Sequence, residues 1–282
     1  MHSYIHLMRL NRPIGIFLLL WPTLWALFIA AHGTPSIQHL SIFILGTVFM
    51  RSAGCVANDI LDRKFDSFVA RTKLRPLANQ SIPVINAIFL LATLLLGALI
   101  CVLFLNDKTF YFSLIALFLA LTYPLTKRFF VMPQAYLGLS FGMGIPMAFV
   151  ANEISLSMTT WLLFLANFFW AIAYDTLYAV TDKNDDLKIG IRSSAIWFGD
   201  FVKEAIMVSY TCMMGCLVWV GLLENFSWVF YVFIVLSLIF IGFLYRQIKT
   251  LDPEVCFAAF LSNNYLGGLV FLGVFFHYPH VN

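Results

Sequence analysis

Long apolar segments separated by short polar ones fill this chain of 282 residues, and they constrain its fold more than any other feature. Because about 18 consecutive apolar residues suffice to cross the hydrocarbon core of a bilayer, each such segment is a candidate transmembrane helix. Hydrophobic residues make up 61% of the chain and charged residues only 11%, which excludes a soluble globular domain of ordinary composition. We therefore predict an all-α, polytopic membrane protein, a single domain over residues 1–282, with about nine spans at 14–32, 38–60, 83–105, 109–125, 134–151, 158–180, 203–222, 226–246 and 257–277.

The basic residues indicate how the chain is oriented. If nine spans alternate in direction, the N-terminus shares one side with the connections between spans 2 and 3, 4 and 5, 6 and 7, and 8 and 9. Of the 17 Lys and Arg residues, all but Arg51 and Lys108 lie on that side, which predicts a cytoplasmic N-terminus. The first span is interpreted as a membrane anchor and not as a signal peptide, since further spans of similar length follow it. The N-terminal residues do not resemble a mitochondrial transit peptide, so we expect a multi-pass protein of a bacterial inner membrane.

Cysteine and histidine residues show no pattern typical of metal or redox chemistry. The five cysteines fall in or beside apolar segments without a CxxC pair, and the six histidines lack metal-ligand spacing. We therefore expect packing roles for the cysteines and no zinc site. The net charge of +3 reflects the basic side of the membrane, so we expect no nucleic-acid partner, and no obligate protein partner is evident.

Acidic residues are concentrated at the ends of two spans. Asn58, Asp62 and Asp66 in "NDILDRKFDSF" are spaced by four, so they share one face of a helix, and Asp59 lies about 100° away from it. The same spacing recurs after an offset of 120 residues, within "DTLYAVTDKNDD", at Tyr178, Asp182 and Asp186. Both clusters close spans that run in the same direction. This predicts a pseudo-repeat of helices 1–4 and 5–8, followed by helix 9, with a site at the interface of the repeats.

Two ionisable residues lie deeper in the same spans. Asp175 precedes Asp182 by two turns, and Arg51 precedes Asn58 by two turns, about 10 Å deeper in the membrane. Solvated helix ends would explain one acidic cluster, but not two in matching register with an aspartate inside the span. Arg51 has two interpretations, a structural partner for Asp175 or a substrate ligand.

The residue types favour a metal–diphosphate site. Neighbouring carboxylates repel one another unless cations intervene, and oxygen ligands without His or Cys select hard cations such as Mg²⁺. The GxxxxGK[ST] loop of nucleotide triphosphatases is absent from the sequence. A polyprenyl diphosphate fits this pattern, because its diphosphate would bind at the polar rim and its apolar tail would lie among the helices. Basic residues beside the two clusters are candidate phosphate ligands: Arg71, Lys73, Arg75, Lys183, Lys188 and Arg192.

Four stretches of the sequence resemble the UbiA superfamily of intramembrane prenyltransferases. "NDILDRKFDSFVARTKLRP" follows the first family motif, NDxxDxxxD with RTxxRP, and "DTLYAVTDKNDDLKIGIRSSAIWFG" follows the second in the form typical of 4-hydroxybenzoate polyprenyltransferases. "YPLTKRFFVMPQAYLGLSFGMGIPMA" and "RLNRPIGIFLLLWPTLWAL" are similar to the same subfamily, so the resemblance covers most of the chain. One departure is that the family pattern places a glycine near Asn79 or Gln80.

The resemblance implies nine helices around a central cavity, capped on the cytoplasmic side by the connections after spans 2 and 6. It implies Mg²⁺, a polyprenyl diphosphate donor, 4-hydroxybenzoate as acceptor and a product that is a ubiquinone precursor. The family's metal–diphosphate residues correspond to Asn58, Asp62, Asp66, Asp182 and Asp186. Further diphosphate partners would be Lys73, Arg75 and Lys183.

The expected reaction is an electrophilic aromatic substitution. Departure of the diphosphate leaves an allylic cation, which the ring carbon ortho to the phenol oxygen attacks, and water must be excluded. Arg51 and Arg128, with Lys127 behind them, are candidates for binding the acceptor carboxylate, although Arg128 could equally be a topological anchor. Asp175 or Tyr178 would take the ring proton or orient the phenol.

Three other functions fit parts of this pattern. Another UbiA-type enzyme, acting on homogentisate, a naphthoate or haem, would share both acidic clusters. A cation transporter could use the intramembrane Asp and Arg residues, but it would not need paired basic and acidic rims. A non-catalytic lipid-binding protein is the third alternative.

Overall fold

The computed structural model describes residues 2–67, 72–126 and 128–278, without the side chains of Phe65 and Ile189, and all regular secondary structure in these ranges is helical. Two short 3₁₀ segments, Gly199–Phe201 and Ile248–Thr250, interrupt connections between helices. The α-helices are α1 (His2–Leu7), α2 (Ile14–Ala30), α3 (Ile37–Asp66), α4 (Val84–Leu103), α5 (Asp107–Thr126), α6 (Pro133–Gly142), α7 (Gly144–Ala151), α8 (Met158–Ile189), α9 (Ser194–Trp197), α10 (Val202–Leu223), α11 (Trp228–Gln247) and α12 (Pro253–His277).

Each of the nine predicted spans corresponds to helical structure. By length and composition, eight segments of the described chain could cross a membrane, and the shorter apolar helix α2 adds a ninth. One of the eight, Pro133–Ala151, consists of α6 and α7 in succession. The predicted all-α, multi-pass fold is therefore confirmed.

Helices α3 and α8 are longer than the sequence pattern predicted. They contain 30 and 32 residues, so they are roughly 45 and 48 Å long, whereas the hydrocarbon core is about 30 Å thick. The predicted ends at residues 60 and 180 mark where the apolar composition stops, but backbone hydrogen bonding continues to Asp66 and Ile189. The last turns of both helices therefore place the acidic clusters beyond the apolar layer. They lie on the side that holds most of the Lys and Arg residues, which we call the basic side.

The larger core lies around α8. This helix packs mainly on α10, α6 and α12, and α12 packs in turn on α2. Trp170, Tyr210 and Asn263 are buried together, and the Oδ1 of Asn263 accepts hydrogen bonds from Trp170 Nε1 at 2.9 Å and from the Tyr210 hydroxyl at 2.8 Å. These bonds satisfy polar groups that would otherwise destabilise an apolar interior.

A smaller core lies between α3 and α4. Its buried residues include Leu7 of α1 and Leu77 and Ile82 of the connection after α3, so the N-terminal helix and this connection are held against α3. The main partners of α3 are α4, α5 and α2, whereas those of α8 are α10, α6 and α12. Since the two long helices pack on different neighbours, space remains between them.

Candidate active site

A cavity of about 720 Å³ occupies this space. Its walls come from α2, α3, α4, α5, α6, α7, α8 and α12, and most of the wall is apolar. Along α3 it extends from Asp59 to Ile42, which corresponds to about 26 Å of helix. The end on the basic side is polar, and its lining includes Arg9, Arg12, Asn58, Asp59 and Arg75.

Helix α3 presents the first predicted cluster at the polar end of the cavity. Arg51 and Asn58 line the cavity, and Asp62 and Asp66 follow on the next two turns of the same continuous helix. The predicted spacing of four along one helix therefore describes how these residues are arranged. Asp66 is buried, with only 7% of its surface exposed.

Helix α8 presents the second cluster in a similar way. Asp175 and Tyr178 line the cavity, and Asp182 and Asp186 are half-buried on the two turns that follow. The backbone carbonyl of Asp186 accepts hydrogen bonds from the N–H groups of Gly190 and Ile191. Gly190 has φ 72°, the left-handed conformation in which a helix commonly ends, so the cap fixes Asp186 in the final turn.

Arg75 joins the acidic end of α3 to the connection that follows it. Its Nη1 donates to both carboxylate oxygens of Asp66, at 3.1 and 2.9 Å, and to Oδ1 of Asp59 at 3.2 Å. The Thr72 hydroxyl donates to the Asp66 carbonyl at 2.9 Å, and the Arg75 amide donates to the Thr72 carbonyl at 2.9 Å. These bonds hold the guanidinium over the end of α3.

Arg9 and Asp59 also belong to this network, although the sequence pattern did not assign them a role. Asp59 is 1% exposed, and both of its carboxylate oxygens accept hydrogen bonds from Arg9 Nη2 at 3.0 Å. Arg9 itself has φ 58° and donates from Nη1 to the carbonyl of His6. No local spacing would have indicated this pair, because the partners are 50 residues apart in sequence. We call Arg9, Asp59, Asp66 and Arg75 the arginine clamp.

Gln80, in the same connection, adopts a conformation that suits glycine. Its φ is 60°, in the left-handed region, where a side chain is disfavoured. This is where the family pattern suggests a glycine. The connection thus keeps the turn in spite of the substitution.

Arg51 is the cationic residue deepest in the cavity wall. Nη1 donates to Cys55 Sγ at 2.9 Å, and Cζ lies 5.8 Å from the ring centre of Phe141. Nε is buried and has no hydrogen-bond partner among the described residues, and neither has the hydroxyl of Tyr174, which also lines the cavity. The guanidinium packs so closely on Gly15 that a Cβ there would lie 2.3 Å from Nε. Glycine is therefore required for Arg51 to occupy this position.

Several predicted phosphate and acceptor ligands lie away from the cavity. Arg128 Nη2 donates to the Leu61 carbonyl at 3.3 Å and lies 3.6 Å from Asp62 Oδ1, so it contacts the acidic cluster instead of the cavity lining. Lys188 is largely exposed and pairs with Asp185 at 3.1 Å, and Arg192 donates to the carbonyl of Phe129 at 3.0 Å. Lys73 is exposed and Lys183 is half-buried, and neither lines the cavity. Arg71 and Lys127 lie outside the described residues.

The profile of the UbiA prenyltransferase family matches residues 19–274, which is most of the chain. The chain belongs to the UbiA prenyltransferase family. A protein of Methylobacillus flagellatus named 4-hydroxybenzoate octaprenyltransferase is 50% identical to this chain over 274 residues. The matched region covers 97% of this chain and 93% of that protein. The family resemblance inferred from the sequence motifs is thereby confirmed.

Solved structures of UbiA homologs have the same fold. The apo structure of a UbiA homolog from Aeropyrum pernix K1 superposes with a TM-score of 0.80 at 20% identity, over 91% of this chain and 96% of that one. A UbiA homolog from Archaeoglobus fulgidus, bound to GPP and Mg²⁺, superposes with a TM-score of 0.76 at 18% identity, over 98% and 99% of the two chains. At these identities the likeness establishes the fold.

The candidate metal ligands of this UbiA-family chain suit a metal ion that is bound by the protein and by a substrate phosphate together. Among the described residues, no three His, Cys, Asp or Glu side chains come close enough to hold a metal by themselves. The candidate ligands are all oxygen donors, divided between α3 and α8: Asn58, Asp62, Asp66, Asp182 and Asp186. Mg²⁺ prefers oxygen and usually keeps water or substrate phosphate in its coordination sphere, so this set fits Mg²⁺ bound jointly with a diphosphate.

Proposed function

We propose that this chain transfers a polyprenyl group from a polyprenyl diphosphate to the carbon ortho to the hydroxyl of 4-hydroxybenzoate, with Mg²⁺, as a step of ubiquinone biosynthesis. The observation that carries the proposal is the 50% identity, over 97% of the chain, to a protein named 4-hydroxybenzoate octaprenyltransferase. The apolar cavity with a polar, acidic end is consistent with this substrate pair.

The diphosphate of the donor would lie at the polar end of the cavity. Asn58, Asp62 and Asp66 on α3, with Asp182 and Asp186 on α8, would hold Mg²⁺, as the oxygen donor set suggests. The metal, when bound, neutralises charge on the leaving diphosphate. A UbiA homolog of the same fold was solved with GPP and Mg²⁺ bound, which supports a prenyl diphosphate and Mg²⁺ as the ligands.

Basic side chains would complete the binding of the diphosphate. Arg75 is the best-supported candidate, because it lines the cavity and already binds carboxylate oxygens with its guanidinium. Lys73 and Lys183 lie close in sequence to the acidic clusters but line no part of the cavity, so they have less support than Arg75. Arg71 is a candidate phosphate ligand only because it is the first arginine of the RTxxRP motif. The exposed position of Lys188 argues for a peripheral role.

The acceptor would lie deeper, beside Arg51. Arg51 and Tyr174 both line the cavity, and Arg51 is the deepest cation in its wall, so its guanidinium would pair with the carboxylate of the acceptor. The position of Arg51 in the wall favours it over Arg128 as the carboxylate ligand. Asp175 and Tyr178 also line the cavity and are our candidates for accepting the ring proton or orienting the phenol.

The apolar walls would hold the prenyl tail and keep water from the reacting carbon. Substitution at the ring forms one C–C bond and breaks the allylic C–O bond, and the ring proton leaves with the electron pair returned to the ring. We propose that the polar end opens on the cytoplasmic side of a bacterial inner membrane, as the distribution of basic residues suggests.

Product analysis with the purified protein tests this function. The protein in detergent would receive octaprenyl diphosphate, Mg²⁺ and a mixture of 4-hydroxybenzoate, homogentisate and a naphthoate, and mass spectrometry would identify the prenylated product. We expect octaprenyl-4-hydroxybenzoate to predominate. Turnover restricted to another acceptor would contradict the proposed substrate, and cation flux in liposomes without any prenyl donor would favour a transporter.

Matched variants test the acidic clusters in the same assay. Asp62→Ala and Asp182→Ala should lower kcat by about 100-fold or more, since each removes a carboxylate that would hold the Mg²⁺ that neutralises the leaving diphosphate. Asp185→Ala is the control, because Asp185 lies in the same helical turns as Asp182 but pairs with exposed Lys188. Equal losses in all three variants would argue against a specific role for the two predicted ligands.

A further inference from the structure

Two glycines of α3 leave open space in the wall of the cavity. Gly46 and Gly54 both line the cavity, and a Cβ built on either would meet no atom within 4 Å. Other glycines of the same wall differ, because Arg51 fills the space at Gly15 and Thr23 fills the space at Gly144. At Gly46 and Gly54, therefore, the missing side chain enlarges the cavity.

The two glycines lie at different depths below the polar end. Gly54 precedes Asn58 by one turn, and Gly46 precedes it by 12 residues, about 18 Å along the helix axis. Beyond Gly46 the lining continues with Ile42 of α3, with Leu105 in the connection between α4 and α5, and with Phe110 in α5. A molecule that extends along α3 from Asn58 to this far end reaches beyond the level of Gly46.

The cavity changes character along this path. Near Asn58 it is lined by charged groups, and at intermediate depth its lining includes Arg51 and Tyr174. At the level of Gly46 and beyond, the lining residues from α4 and α5 are almost all apolar. Protein interiors rarely leave voids of this size, so an apolar cavity with a polar end points to an amphipathic ligand with a long tail.

We propose that Gly46 determines the length of prenyl tail that this cavity admits. The inference rests on the proposed function, because it takes the ligand to be a polyprenyl diphosphate whose head lies at Asn58. The tail runs along α3 past Gly54, crosses Gly46 and continues towards Ile42 and Phe110. Short donors end before Gly46, whereas long donors need the space that this glycine leaves.

The helix itself gives no reason for glycine at this position. Gly46 is in the interior of α3, where glycine destabilises a helix by about 1 kcal/mol relative to alanine, and its φ is not in the left-handed region. A larger side chain would meet no neighbouring atom at its Cβ and would extend into the path of the tail. The cavity therefore accounts for a residue that the secondary structure does not favour.

A substitution that fills this space tests the inference. In Gly46→Leu the protein should fold, because leucine is a better helix former and the site is open. With geranyl diphosphate as donor we expect kcat/KM within about twofold of the wild type, and with octaprenyl diphosphate a loss of about 100-fold, as expected when a pocket excludes extra bulk. Retention of octaprenyl transfer, or an equal loss with both donors, would overturn the proposal.

Gly242→Leu is the matched control. Gly242 lies in α11, is exposed, does not line the cavity and also has no atom within 4 Å of a Cβ. The control should transfer both prenyl groups like the wild type. Should Gly46→Leu fail to fold, Gly46→Ala takes its place, with a smaller but still length-dependent loss expected.

Donor binding separates this inference from the proposed function. Binding of geranyl and octaprenyl diphosphate would be measured with Mg²⁺ but without acceptor, through competition with a radiolabelled short donor. If the wild type binds both donors and Gly46→Leu binds only the short one, the inference holds even when 4-hydroxybenzoate is not prenylated, and only the proposed acceptor fails. Equal affinity of both proteins for octaprenyl diphosphate would overturn the role of Gly46.

Discussion

At the scale of single residues, the clamp formed by Arg9, Asp59, Asp66 and Arg75 determines the shape of the polar end. One guanidinium, that of Arg75, contacts two carboxylates that lie two turns apart on α3, and Arg9 also compensates the charge of Asp59. Because Asp59 is almost fully buried, its charge requires such partners. The clamp thereby ties the N-terminal segment and the connection after α3 to the mouth of the cavity.

Arg75→Ala should impair the enzyme far more than Lys188→Ala. Arg75 is our candidate for binding the diphosphate, and a hydrogen bond to a charged group contributes about 1.5–3 kcal/mol, so we expect kcat/KM for the donor to fall at least tenfold. Lys188 is 74% exposed and contacts only Asp185 among its described ion pairs, so its loss should change kcat/KM less than twofold. Steady-state kinetics in detergent provide the measurement, and similar effects of the two substitutions would contradict this assignment of roles.

Asp59→Asn should lower the stability of the folded protein. The amide cannot replace the carboxylate between two arginines, and we expect a loss of about 2 kcal/mol, since hydrogen bonds to charged groups are broken in a buried site. Thermal unfolding in detergent, followed by circular dichroism, measures the effect. Asp185→Asn, at an exposed pair, is the control and should leave the midpoint nearly unchanged. An unchanged midpoint for Asp59→Asn would mean that the clamp contributes no stability.

At the scale of helices, the close approach of α12 to α2 and α8 depends on Gly267. A Cβ on Gly267 would lie 2.5 Å from ring atoms of both Trp170 and Trp21, whereas at Gly268 the nearest atom is 3.4 Å away. The Gly267 carbonyl also accepts a hydrogen bond from Trp25 Nε1 at 3.1 Å. Helices α2, α8 and α12 therefore meet at Gly267, where tryptophan rings of α2 and α8 pack directly on the backbone of α12.

Gly267→Ala should consequently be more destabilising than Gly268→Ala. The first substitution forces two rigid indole rings to move, and overpacking of this kind typically costs about 1–3 kcal/mol. The second adds a methyl group in ordinary van der Waals contact, and the higher helix propensity of alanine offsets any small cost. Unfolding midpoints of the two variants would be compared directly. Equal midpoints would show that α12 can shift without loss of packing energy.

The internal repeat remains a prediction at this scale. In the first half α3 packs chiefly on the following helix, α4, and in the second half α8 packs chiefly on the following membrane helix, α10. This parallel agrees with the offset of 120 residues between Asn58 and Tyr178. Helix α6, the predicted counterpart of α2, packs on α8 as α2 packs on α3, and the halves differ in that α3 also packs on α5 whereas α8 also packs on α12.

At the scale of the whole molecule, the distribution of charge predicts the orientation in the membrane. Cysteines introduced at exposed Lys188 and exposed Lys108 should lie on opposite sides. In intact bacterial cells with a permeable outer membrane, a membrane-impermeant maleimide should label Lys108→Cys but not Lys188→Cys. The native cysteines are buried or half-buried, and the unsubstituted protein measures their background. Labelling of Lys188→Cys alone would reverse the proposed orientation.

The fold class, the approximate spans, the family and the two acidic clusters could be predicted from the amino-acid sequence. These features depend on local composition and on spacing along one helix, and hydrogen bonding within the helix preserves that spacing whatever surrounds it. For this reason the sequence alone predicted where the spans lie and that Asn58, Asp62 and Asp66 share one face of a helix. Even the lengthening of α3 and α8 beyond their apolar residues only adds turns to helices that the sequence predicted.

Helix packing, in contrast, was needed to show which side chains line the cavity and which pair with one another. Arg9 and Asp59 form a pair although they are 50 residues apart in sequence, and Arg128, which the sequence offered beside Arg51 as an acceptor ligand, lies against Asp62 instead of the cavity. The open space at Gly46 likewise depends on neighbouring helices that do not fill it. Contacts of this kind arise from the packing of distant elements, and residue type and local spacing carry no information about that packing.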